Sequence, residues 1–137
     1  MIRSKVLTPR ELDFYVALED TLKIIYADKE HKQQQAVPID HARQWFIDVA
    51  LGGTSYRLTD EDTGAELFAI ITYGSTSPHA VGVGLSIVAL IVNKPAPKLV
   101  RYFYKHILDV AKDTNQQWIW YSHRKRDGVY ECRIKVL

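Results

Sequence analysis

The chain has 137 residues, 47% of them hydrophobic and 25% charged, with a formal net charge of +2. That is enough for one core of ordinary globular composition and too little for two domains. It excludes an internal disulfide framework, since Cys132 is the single cysteine, and it gives no bulk attraction for nucleic acid.

Two further exclusions concern address. The longest apolar stretch, residues 85–92, falls well short of the roughly 20 residues of a spanning helix, so no membrane partner is expected. The first residues, MIRSKVLTPRELDF, carry charges throughout and contain no apolar signal region, so the expected location is cytoplasmic.

Residues 2–7 (IRSKVL) alternate weakly and predict a short first strand. Thr8, Pro9 and Glu11 then supply a hydroxyl cap, a proline at the first position and a carboxylate three residues after the cap, which predicts a helix start. Leu12, Tyr15, Val16, Leu22 and Ile25 or Tyr26 recur at helical spacing to about Ala27. The polar run DKEHKQQQ (28–35) reads as a solvated loop or a frayed helix end. Asp40 is placed to cap a second helix through Ala42, Trp45, Phe46 and Val49, which Gly52 and Gly53 end.

From Thr54 the period shortens. SYRLTD and AELFAIITYG predict two strands around the turn DEDTG, whose glycine accepts positive φ. STSPHA (75–80) reads as a loop, and residues 81–92 (VGVGLSIVALIV) as a central strand, apolar on both faces towards its end. Gly82 and Gly84 lack a third glycine and a following helix, so they are no phosphate loop. Leu99, Val100, Phe103, Ile107, Val110 and Ala111 form the clearest amphipathic stripe in the chain, with Arg101, Lys105, Asp109 and Lys112 mostly on other faces. QQWIWYSH then predicts an aromatic strand, KRDG a turn, and VYECRIKVL a closing strand with Tyr130, Cys132, Ile134 and Val136 on one face. In that alternation Cys132 is expected as a buried small hydrophobe. The expected fold is α+β or α/β: a mixed, mostly antiparallel sheet of about six strands flanked by three helices, with one parallel pair across the third helix.

This order of elements resembles the GNAT superfamily of N-acyltransferases over nearly the whole chain. The resemblance implies a single GNAT-like domain over residues 1–137, in which strand 81–92 splays from its neighbour and the junction VNKPAPKLVRYF (92–103) is the coenzyme A pyrophosphate cradle. The family's signature there is R/Q-x-x-G-x-G/A. Counted from Lys98 as the basic position, this chain sets Arg101 and Phe103 where glycines or small residues belong. Pro95 and Pro97 also remove two N–H groups from the loop. Lys98, Leu99, Val100 and Arg101 are the cofactor-binding candidates, and Tyr121, Tyr73 and Glu66 the catalytic ones. The helix that carries the family's acid tyrosine is replaced by KRDG. The short form is also similar to small GNAT-like proteins of tailed bacteriophages, some carried in virions, which implies a host-cytoplasmic or virion location.

The remaining constellations are quickly weighed. WIWYSHRKR sets Trp118, Trp120 and Tyr121 beside basic residues, but strand alternation directs most of the rings into the protein, so nucleic acid is not the expected partner. The five histidines are scattered, with no metal-ligand spacing. Ser75, Thr76 and Ser77 lack a nucleophile elbow. Trp45, Phe46, Tyr102 and Tyr104 exceed what one small core must absorb, and Tyr102 and Tyr104 are expected to point away from their helix's apolar stripe as partner-binding residues. Two functions compete: a GNAT-like accessory or virion protein that acts by binding another protein, without a cofactor and with transfer reduced or lost, and an acetyl-CoA-dependent N-acyltransferase with an altered loop.

Overall fold

A computed structural model describes residues 1–27, 35–126 and 129–137, with the side chains at 123–126 and 130 left undescribed. In chain order the elements are β1 (Ile2–Leu7), α1 (Leu12–Ala27), α2 (Ile39–Leu51), β2 (Thr54–Asp60), β3 (Ala65–Ser77), β4 (Ala80–Val92), α3 (Pro97–Asp113), β5 (Trp118–Arg126) and β6 (Val129–Val136). The six strands form one sheet in sequence order. All neighbours are antiparallel except β4 and β5, which the α3 crossover makes parallel. The fold is α+β.

Two cores lie on opposite faces of the sheet. On one, Leu99, Phe103, Ile107 and Ala111 recur every four residues along α3 and are buried against Tyr56, Leu58, Leu67, Ala69, Ile71, Leu85, Ile87 and Ile119. On the other, Phe14, Leu18, Leu22 and Ile25 of α1 join Phe46 and Ala50 of α2 over Phe68, Ile70 and Ala89. β3 is therefore covered on both sides, which explains its run of buried residues without alternation.

Several sequence expectations change. Thr8 to Glu11 form a turn, closed by the Glu11 N–H on the Thr8 carbonyl, and the helix begins only at Leu12. The buried stripe of α1 is also rotated from the expected one. Leu12 is 76% exposed, and Tyr15 and Val16 also face outward, because Phe14 and Leu18 take the core positions. Asp40 lies in the first turn of α2 and makes no cap; Pro38 holds that position. STSPHA is mostly strand, since β3 and β4 extend as a hairpin to Ser77 and Ala80. The run at 28–35, expected as a solvated loop or a frayed helix end, lies outside the described residues, Gln35 apart.

Cys132 is exposed, not buried. It lies opposite Ser122 on the α1–α2 face, whose cluster ends at β4, so nothing in that cluster covers this face of β6.

Candidate functional site

The β4–α3 junction is built by a side chain that sequence reading passed over. The Asn93 N–H donates to the Glu66 carbonyl at 3.1 Å, its Oδ1 accepts the Glu66 N–H at 2.8 Å, and its Nδ2 donates to the Gly64 carbonyl at 3.2 Å. Lys94 Nζ reaches the Thr63 carbonyl. The β2–β3 turn, with Gly64 at φ +73°, is thus tied across the start of the junction.

The helix start that follows has few donors to offer. Pro95 and Pro97 have no N–H, and the Val100 N–H is already bonded to the Ala96 carbonyl at 3.0 Å. Ala96 contributes no side-chain cap. Lys98 and Arg101 are exposed, Val100 is half-buried against the sheet, and Leu99 is buried in the α3 core. The four cofactor-binding candidates therefore present two cationic side chains and a short stretch of backbone. The adjacent Asp62 carboxylate is held below its usual range by a hydrogen bond and charge from the Met1 amino group and, more weakly, by Lys98. An acidic group of the chain itself thus already stands near the cation that an anion would seek.

The catalytic candidates are not brought together. Glu66 projects towards α1, where both its oxygens accept from Arg57 Nη2 at 3.1 Å and Asp20 approaches the same guanidinium at 3.6 Å. The cavity beside this group has a volume of about 20 Å³, room for one water and no substrate. Tyr73 and Tyr121 stand on the opposite, α3 face. The Tyr73 hydroxyl lies 3.4 Å from Thr54 Oγ1. Next to it, burial and then the Tyr73 neighbour push the Tyr56 phenol well above its ordinary value. The Tyr56 ring meets His106 edge-on at 5.5 Å, so His106 packs against the α3 core.

Tyr121 stands where two neighbouring strands part. β4 and β5 pair over Leu85–Ile119, Ser86–Trp120 and Ile87–Tyr121, and no further. Ile70 faces Ala89 while Ile71 faces Ile87, so Val88 is a bulge where the parallel pairing stops. The two strands then run on without pairing, to Val92 and Arg126. Tyr121 sits at this fork, half-buried, its ring edge-on to Tyr104 at 5.3 Å. Burial, then the Tyr121 neighbour, raises the Tyr104 phenol above its usual range. Beside them the Arg133 guanidinium is held above its ordinary value by Glu131, 2.7 Å away, and then by the Tyr121 hydroxyl. The Tyr121 hydroxyl thus stands between the Tyr104 ring and a guanidinium that is itself paired with the Glu131 carboxylate.

Of the partner-binding candidates, Tyr102 is exposed at 45%. Tyr104 does not point away from the core: it packs on the α3 cluster through Tyr121. Trp45 is half exposed while Phe46 is buried. Trp118 is buried and Trp120 half-buried, as strand alternation predicted, and the basic side chains at 123–126 lie outside the described residues. Among the described residues no group of potential metal ligands gathers, and no helix is long and apolar enough to cross a membrane.

Sequence reading missed Asn93, Arg57, Tyr56 and Arg133. Only Asn93 left a signal, as an amide beside a strand end and a proline-rich bend. Comparison with known proteins finds no matching family model and no matching curated protein.

Proposed function

We propose that this chain is a GNAT-like accessory protein of phage type, in the host cytoplasm or the virion, that acts mainly by binding another protein, with acetyl-CoA transfer reduced or lost. The observation that carries this reading is the closed junction. Asn93 ties it to the turn before β3, two prolines remove donors, and Val100 is committed to Ala96. A diphosphate seated here would have to displace these bonds and meet Asp62. The separation of Glu66 from Tyr121 and Tyr73 supports the same reading, since proton transfer needs its groups within reach of one another. Tyr102, ringed by solvent on α3, is the proposed contact residue.

One observation favours a second reading, an acetyl-CoA-dependent N-acyltransferase with a rebuilt cofactor loop. The β4–β5 fork with Tyr121 at its base is the kind of opening that the family resemblance implies. Thermal unfolding with millimolar acetyl-CoA separates the two. A ligand that binds only the folded chain raises stability by RT ln(1 + [L]/Kd). The expected result is an unchanged midpoint; a clear rise overturns the binding-protein reading in favour of the enzyme.

A further inference from the structure

β6 ends the sheet, and among the described elements none pairs with its outer edge. Which groups lie on that edge follows from one bond: the Leu137 N–H donates to the Gln117 carbonyl at 3.0 Å. In a regular antiparallel ladder alternate residues therefore bond to β5, namely 131, 133 and 135. Cys132, Ile134 and Val136 direct their N–H and C=O groups outward. The edge has no proline, and its pairing with β5 is regular from Glu131 to Val136. It therefore lacks two of the devices that commonly block edge pairing.

We propose that this edge joins a second copy of the same chain, β6 antiparallel to β6, with Cys132 opposite its own counterpart on a two-fold axis. Only registers centred on a residue of the chain pair outward groups with outward groups, and the charges choose among them. Centred on Arg133, the ladder opposes two arginines. Centred on Ile134, it opposes Arg133 to Lys135. Centred on Cys132, it sets Glu131 opposite Arg133 twice, with no like charges directly opposed. Glu131 and Arg133 already share one face, 2.7 Å apart within the strand, so the two copies complete a four-charge cluster. On the other sheet edge, β1, Arg3 and Lys5 are already paired with Glu61 and Asp13 of the same chain, and a register centred on Ser4 would set the two cations opposite each other. This inference stands apart from the protein-binding reading, which concerns α3.

Seven residues a side make a small interface, so the dimer is reversible and concentration-dependent. Sedimentation of the reduced chain over a concentration series should show a monomer–dimer equilibrium. Arg133→Glu sets carboxylates opposite each other and should raise the dimer Kd about tenfold or more. The double swap Glu131→Arg with Arg133→Glu should restore it. Hydrogen exchange in the wild-type chain tests the register without any substitution. The Cys132 and Ile134 amides should slow as concentration rises, whereas that of Arg133, already bonded to β5, should not. A wild-type chain that stays monomeric up to submillimolar concentration, an Arg133→Glu variant that dimerises as tightly, or protection gained elsewhere but not at Cys132 and Ile134 would overturn the proposal.

Discussion

Gly84 lies directly against the indole of Trp118: a β-carbon built on Gly84 would stand 2.0 Å from Trp118 Cδ2. The ring is 1% exposed. Gly84, which the sequence pattern excludes from a phosphate loop, is thus a packing site, where the strand backbone must admit a ring. Gly84→Ala should lower unfolding stability by about 1–3 kcal/mol through overpacking. Gly52→Ala is the control, since its nearest contact would be an ordinary 3.9 Å. Chemical denaturation of both variants decides it, and equal stabilities would remove the packing argument.

Asn93 gives a second prediction, on the junction. Asn93→Ala deletes the side-chain bonds to Glu66 N–H and the Gly64 carbonyl while leaving the backbone bond to the Glu66 carbonyl. The site is exposed, so water replaces part of what is lost, and the expected loss is about 1–2 kcal/mol. The local signature is sharper than the global one. The Glu66 amide should exchange faster with solvent in the variant, and unchanged exchange would show that the tie is not formed in solution.

The element order and the single parallel pair were legible because each rests on local pattern: α3's four-residue repeat, the Gly64 turn, the alternation of β2. The phase of α1 was not. Leu12, Tyr15 and Val16 are as apolar as Phe14 and Leu18, and only the position of α2 and Phe68 decides which row is buried. Cys132 failed for a related reason: alternation fixes which face a residue shares, while coverage of that face depends on where a distant helix stops. The site was less legible still. The Arg57 contact that engages Glu66 spans two strands and a helix, and the fork at Tyr121 depends on a one-residue bulge at Val88 that leaves no mark in the sequence.

Tyr102 and Phe103 are neighbours with opposite duties, which a paired substitution separates. Phe103 is fully buried among Tyr56, Leu99 and the sheet, so Phe103→Ala should cost about 3–5 kcal/mol. Tyr102 faces solvent, and Tyr102→Ala should stay within about 0.5 kcal/mol of the wild type. If α3 presents a protein-binding face, Tyr102→Ala should nonetheless lose partner capture from cell extract. A stable variant that captures the same partner as well as the wild type would remove Tyr102 from the interface.

The last prediction concerns acid. Arg43 joins the helices by donating to Glu19 at 2.6 and 3.2 Å and to Asp40 at 2.6 Å. The hydrogen bond from Arg43 holds the Glu19 carboxyl below its ordinary value of 4.5. A carboxyl whose pKa is lower in the folded chain stabilises folding fully above the unfolded value, and that contribution is lost as pH falls through the folded one. Glu19→Gln should therefore lie below the wild type in thermal midpoint at pH 7, and the two curves should converge below about pH 4. The gap will be small, because the pair is open to solvent and screened, so it should also shrink on adding salt at pH 7. A constant gap from pH 7 to pH 3 would mean that the glutamate acts through packing, and that its charge does not tie α1 to α2.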